Sequence, residues 1–121
     1  MSGLTTHVLD TAGGKPGGDV YFRLFRLDQG QLNKGRLELL NGRTNADGRC
    51  DAPLLDEESM RVGLYELEFH VADYFRQQGV KLADPPFLDQ VVIRFAIADS
   101  RQHYHVPLLI SPYGYTTYRG S

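Results

Sequence analysis

Gly63-Leu64-Tyr65-Glu66-Leu67-Glu68-Phe69-His70-Val71 alternates without a break: Leu64, Glu66, Glu68 and His70 fall on one face, and Tyr65, Leu67, Phe69 and Val71 on the other. Successive side chains of an extended chain point to opposite sides, so this stretch reads as a strand with one face in a core. Working outward, residues 19–27 set Val20, Phe22 and Leu24 against Tyr21, Arg23, Phe25 and Leu27, a strand with both faces partly apolar. Residues 4–10, 89–98, 103–110 and 114–119 read as further strands. Turn residues punctuate the chain at Gly13-Gly14-Lys15-Pro16-Gly17-Gly18, Asp28-Gln29-Gly30, Asn41-Gly42, Asp47-Gly48, Asp84-Pro85-Pro86 and Ser111-Pro112. Glycines and prolines spaced this way favour short strands joined by tight turns. Residues 72–79 alone switch period, and they end in Gly79, suited to a helix C-terminus. The expectation is an all-β fold, a two-sheet sandwich of seven or eight strands with one short α-helix.

With 121 residues, the chain has the length of one domain, expected to span residues 1–121. Hydrophobic residues at 41% and charged residues at 23% are ordinary for a globular protein able to bury a core. The 13 basic and 15 acidic side chains leave a formal charge of -2, without the basic excess that nucleic acid attracts. The lone Cys50 can make no intrachain disulfide and fits a reducing compartment. Arg94 interrupts the longest apolar run, and the opening residues lack a signal pattern, so a membrane span is not expected and a cytoplasmic protein is, with a peroxisomal one as the alternative.

The chemistry centres on histidines. In His103-Tyr104-His105-Val106-Pro107-Leu108-Leu109-Ile110 the set Tyr104, Val106, Leu108 and Ile110 takes the core face, leaving His105 pointing outward beside Pro107 and Leu109. Near the amino terminus, Thr6 and Val8 share one face, and Thr5, His7 and Leu9 the other. Histidines standing among apolar groups on an outer face imply a surface that something covers. If the two strands are neighbours, His7 and His105 line one groove. A His-x-His pair on a strand projects both rings to one side, so zinc held by His7, His103 and His105 is an alternative. Arg49 follows the turn Asn45-Ala46-Asp47-Gly48, where Asp47 and Gly48 supply a side-chain hydrogen bond and a positive φ; its planar fork suits a carboxylate, a phosphate or an enolate-like heterocycle edge. His70 and Cys50 read as structural. The ending Tyr113-Gly114-Tyr115-Thr116-Thr117-Tyr118-Arg119-Gly120-Ser121 reads as a docked tail or an aromatic edge strand.

Three blocks carry a family resemblance: Leu4-Thr5-Thr6-His7-Val8-Leu9-Asp10, Thr44-Asn45-Ala46-Asp47-Gly48-Arg49, and His103-Tyr104-His105-Val106-Pro107-Leu108-Leu109 running on to Tyr118-Arg119-Gly120-Ser121. The chain resembles the transthyretin-related 5-hydroxyisourate hydrolases, and the terminal Tyr-Arg-Gly-Ser separates these from the hormone-carrying transthyretins of the same fold. The resemblance implies a transthyretin-like β sandwich, a homotetramer, and active sites in a channel where dimers meet. It places His7, Arg49 and His105 at catalytic positions and assigns Ser121, with Tyr118, Arg119 and Gly120, to a tail that folds into the site. Thr116 and the pair Val91-Val92 depart from the common pattern, away from these groups.

The implied reaction is cofactor-free hydrolytic opening of the six-membered ring of 5-hydroxyisourate in urate breakdown. It requires a positioned water, a base, a donor for the developing oxyanion and an acid for the departing nitrogen. Two histidines and an arginine cover these roles, with either His7 or His105 as the base. The rival functions are a non-enzymatic carrier of small aromatic ligands, a zinc hydrolase, and a structural interaction module.

Overall fold

A computed structural model describes residues 2–27 and 35–121; the expected turn at Asp28-Gln29-Gly30 lies outside these residues. In chain order the elements are β1 (Gly3–Asp10), β2 (Lys15–Pro16), β3 (Tyr21–Leu27), β4 (Arg36–Arg43), β5 (Gly63–Phe69), α1 (Val71–Gln77), β6 (Val91–Ile97), β7 (His103–Ser111) and β8 (Gly114–Thr117). They form two four-stranded sheets, ordered β2-β1-β7-β8 and β4-β3-β5-β6. The expected sandwich with one short helix is the architecture observed. The alternation of β5 holds: Tyr65, Leu67 and Phe69 are buried against Val20, Phe22 and Leu24 of the β3 segment, and Leu4, Val8, Tyr104, Val106, Leu108 and Ile110 close the core from the other sheet.

β1 and β7 pair in parallel, an arrangement that a hairpin cannot make and that brings together segments about a hundred residues apart. The register sets Thr5 opposite His105 and His7 opposite Pro107. The two outward faces of these strands therefore form one continuous surface, which positions the site.

β2 and β4 had no counterpart among the expected strands. Asn41-Gly42, read as a turn, lies inside β4, where Asn41 pairs with Arg23 and Gly42 with Phe22. The glycine serves close packing: a Cβ there would lie 3.2 Å from the Phe22 ring. The chain of β4 is exposed over most of its length, including Leu37 and Leu39, so it carries no one-sided apolar pattern to read.

The other face of β5 is polar yet covered. Glu66 and Glu68 are buried, a cost that ion pairing must offset. Arg36 Nη1 lies 3.0 Å from Glu68 Oε2, Arg94 Nη2 lies 2.9 Å from Glu66 Oε2, and His70 Nε2 lies 3.0 Å from Glu68 Oε1. Burial alone pushes the Glu68 carboxyl up, but Arg36, His70 and Arg23 outweigh it and hold the group below the usual carboxylate range. Phe25 is buried on this face under Arg36, whose guanidinium carbon stands 3.8 Å from the ring centroid.

α1 begins after His70, one residue before the expected start, and stops where the sequence signals. Gly79 takes φ +80°, its N–H donates to Arg76 O at 3.0 Å, and Val80 N–H donates to Phe75 O at 3.0 Å, the paired bonds of a Schellman ending. Tyr74 fastens the helix to β1 by donating its hydroxyl to Asp10 Oδ2 at 2.8 Å, both groups being buried. Burial, aided by the Asp10 charge, raises the tyrosine hydroxyl well above its ordinary value and keeps it a donor.

Candidate active site

The turn ahead of Arg49 is built by its first residue. Asn45 Oδ1 accepts from Asp47 N at 2.9 Å and Arg49 N at 3.1 Å, and Asn45 N–H donates to Arg49 O at 2.7 Å. The side-chain hydrogen bond expected of Asp47 thus comes from Asn45. The positive φ falls at Gly48, at +79°, and a Cβ there would sit 2.2 Å from the Val8 carbonyl oxygen. That close approach welds the turn to β1, since Val8 N–H donates to Gly48 O at 2.7 Å. Gly48→Ala is expected to combine this collision with left-handed strain of roughly 1–3 kcal/mol. Denaturant unfolding is expected to show a loss of at least about 2 kcal/mol, and an unchanged midpoint would contradict the contact.

Asp47 contributes its backbone instead. His7 Nε2 lies 2.9 Å from the Asp47 carbonyl oxygen. A carbonyl only accepts, so Nε2 carries the hydrogen of this contact. His105, half-buried on β7, is bound through its other nitrogen: Nδ1 lies 2.8 Å from Thr5 Oγ1, leaving Nε2 for external chemistry. Burial lowers the His105 imidazole below its ordinary value, and the charges of Arg49, His103 and His7 push the same way. At neutral pH the ring is therefore uncharged, the form a base requires.

This electrostatic link between Arg49 and His105 is testable. Removing the guanidinium relieves like-charge repulsion on the imidazolium, so Arg49→Gln is expected to move the His105 titration, followed by NMR, upward toward its ordinary value. Arg49→Lys keeps the charge and is expected to leave the titration low while impairing turnover through loss of the fork. An unmoved titration in Arg49→Gln would separate the two residues.

The tail reaches the same place. After β8, Thr117 donates its hydroxyl to Pro107 O at 2.8 Å, and Gly120 N–H donates to His105 O at 2.7 Å, forming an isolated bridge with that residue. Gly120 rests on the imidazole itself: an added Cβ would lie 2.7 Å from His105 Cδ2. Arg119 Nη2 donates to His103 O at 2.9 Å and Gln102 Oε1 at 3.1 Å, and its guanidinium carbon lies 3.9 Å from the Tyr104 ring centroid. Its fork is thus engaged with the chain's own groups, anchoring the tail. Tyr118 and Ser121 are exposed on either side of this anchor.

A cavity of about 190 Å³ adjoins the cluster, lined in part by Thr5, Thr6, Arg49, Cys50 and Pro53. The Cys50 thiol is pushed up by burial and by Asp51, which leaves it a poor nucleophile. Among the described residues no three His, Cys, Asp or Glu side chains come together in a way that could hold a metal ion, so the grouping of His7, His103 and His105 as ligands is not formed. Thr5 stands between His103 and His105, with His103 Nε2 at 3.2 Å from its hydroxyl. His70, as expected, is structural: besides its contact with Glu68, it stands edge-on to Tyr21. The positive φ expected of Gly48 is observed, whereas Thr5 and the Asn45 side chain carry no such signal in the sequence; only knowing that β1 and β7 pair in parallel puts Thr5 opposite His105.

The family model described as HIUase/Transthyretin family matches residues 4–120. The chain belongs to this family. Within it, the chain is 55% identical over 121 residues to the 5-hydroxyisourate hydrolase of Ralstonia nicotianae, covering all of both chains. Among solved structures it is similar to Klebsiella pneumoniae 5-hydroxyisourate hydrolase, with 33% identity, a TM-score of 0.76, and coverage of 99% of this chain and 100% of that one. It is also similar to sea bream transthyretin in complex with thyroxine, with 28% identity, a TM-score of 0.82, and coverage of 97% and 93%. Family membership thus spans an enzyme and a ligand-binding branch, and identity is higher toward the enzyme.

Proposed function

We propose that this chain is a 5-hydroxyisourate hydrolase, opening the six-membered ring of its substrate at an amide C–N bond to give 2-oxo-4-hydroxy-4-carboxy-5-ureidoimidazoline. The observation that carries this reading is the closure of the tail onto His105, in a groove that His7 and Arg49 share. A carrier needs only shape and apolar walls. Imidazoles and a guanidinium in a groove that is to be covered cost desolvation, which catalysis gives a reason to accept.

In this mechanism neutral His105 takes a proton from water through Nε2 as the water's oxygen attacks the ring carbonyl. Arg49 holds that carbonyl and the oxyanion it becomes, its fork matching the planar edge of the ring. His7, with Nε2–H fixed on Asp47 O, presents Nδ1 as an acceptor that orients the water or a ring N–H. The C–N bond then breaks as His105 returns the proton to the departing nitrogen. Gly120 keeps space beside the His105 ring, Arg119 anchors the tail, and Tyr118 and Ser121 face the substrate, Ser121 aligning the water.

The site is completed by self-association into a homotetramer. β6 and β8 are edge strands of the two sheets, and Val92, Tyr115 and Tyr118 are exposed on or beside them, which supports pairing with further copies. The reading is tested by generating 5-hydroxyisourate from urate with urate oxidase and following its ultraviolet decay. Acceleration in proportion to added protein is expected. An unchanged decay in the presence of folded protein would contradict the hydrolase and favour the carrier.

A further inference from the structure

We propose that Thr5 is a positioning residue that links His105 to His103 as a proton relay, with His103 the reservoir for the proton taken from water. The inference deepens the hydrolase reading and rests on it. The Thr5 hydroxyl stands 2.8 Å from His105 Nδ1 and 3.2 Å from His103 Nε2. A hydroxyl has one hydrogen to give and lone pairs to receive, so it donates to one ring while accepting from the other. The three groups therefore have two matched arrangements. In the first, His105 Nδ1–H donates to Thr5 and Thr5 donates to His103 Nε2, leaving His105 Nε2 bare. In the second, His103 Nε2–H donates to Thr5 and Thr5 donates to His105 Nδ1, so that neutral His105 bears its hydrogen on Nε2.

Passage from the first to the second accompanies the attack of water. His105 Nε2 gains the water's proton, the Nδ1 proton moves to Thr5 Oγ1, and the original hydroxyl proton moves to His103 Nε2. His103, already bearing hydrogen on Nδ1, becomes the imidazolium, while the hydroxide is bonded to the ring carbon and the negative charge sits on the carbonyl oxygen. Collapse of the intermediate runs the chain backward: His105 Nε2–H goes to the departing nitrogen, and His103 gives its proton back through Thr5. No proton is gained or lost by the protein over the cycle.

The locations of the two histidines supply the driving force. His105 is half-buried, and the charges of Arg49, His103 and His7 all oppose a positive charge on it, so its protonated form is disfavoured. His103 is exposed and its charged form is solvated. The parallel register sets Thr5 directly against His105, which brings its hydroxyl within reach of both rings.

Thr5→Val replaces the hydroxyl with a methyl of similar size in a strand and should fold, which circular dichroism checks. In the decay assay it is expected to lower kcat at least about tenfold, part of the roughly 10²–10⁴ that general acid–base catalysis supplies, with KM little changed. Thr5→Ser restores the hydroxyl and is expected to recover kcat to within a few-fold. His103→Gln keeps a hydrogen-bonding side chain that cannot take a proton; it should match the loss in Thr5→Val, and the double variant should add nothing further. A Thr5→Ser enzyme as slow as Thr5→Val would reduce Thr5 to packing, and wild-type kcat in His103→Gln would end the relay. The wild-type rate in the same assay reports separately on the hydrolase reading. Nitrogen-15 chemical shifts of His105 test the hydrogen-bonded chain without turnover: they are expected to move in Thr5→Val and not in Thr5→Ser, and no movement in Thr5→Val would overturn the link.

Discussion

Replacing His105 with alanine is expected to lower the catalysed decay of 5-hydroxyisourate by roughly 10²–10⁴, the range that a positioned acid–base group contributes. The fold should survive. The ring lies on the outward face of β7, whereas the core face of that strand is carried by Tyr104, Val106, Leu108 and Ile110. Loss of the side chain removes one bond to Thr5 and the contact with Gly120, and neither belongs to the core. Equal urea midpoints for variant and wild type would therefore accompany the kinetic defect. The pH profile carries a second signature. Because the His105 imidazole is held below its ordinary value, the base form persists below pH 6.5, and the acid limb of kcat/KM is expected there rather than above it. Near-native turnover in His105→Ala would remove this residue from the mechanism.

Deleting residues 118–121 is the second large effect. These residues lie beyond β8, and their attachments are the Arg119 contacts with Tyr104, His103 and Gln102 and the single Gly120 bridge to His105. None of the four residues belongs to the buried core. The truncated chain is expected to keep its sandwich and to lose at least about a hundredfold in turnover, because the wall over His105 and the groups at Tyr118 and Ser121 go together. A single substitution sharpens the test: Gly120→Val places atoms where the His105 ring stands and is expected to reproduce most of the loss with the tail still present. Full activity in a folded truncation would make the tail an ordinary strand ending.

Much of this arrangement is legible in the sequence, for a physical reason. Period-two alternation records which side chains meet a core, so β5 and β7 declared their inner faces, and Thr6 and Val8 declared that of β1. The outward positions of Thr5, His7 and His105 follow from the same alternation. What alternation does not record is which strand lies beside which. The parallel contact of β1 with β7 joins distant segments, and Thr5 acquires its meaning from that contact alone. β4 was hidden because most of its residues are exposed, and Gly42 serves the Phe22 ring rather than a turn. Asn45 and Asp47 exchanged roles because both side chains suit a tight turn and only the fold decides which caps it. The tail's family pattern was readable, whereas the commitment of Arg119 to Tyr104 and His103 required the structure.

The central claim is that ring opening takes place in the groove between β1, β7, the Arg49 turn and the tail. Because 5-hydroxyisourate decays on its own, urate, which shares its bicyclic frame and lacks the added hydroxyl, is the probe of choice. A crystal structure of the protein with urate is expected to place the ring within hydrogen-bond distance of Arg49 and His105 Nε2, with His7 Nδ1 facing it and the tail alongside. Urate bound instead at the polar hollow near Tyr21, Arg43 and Tyr74, leaving the His105 groove empty, would contradict the account.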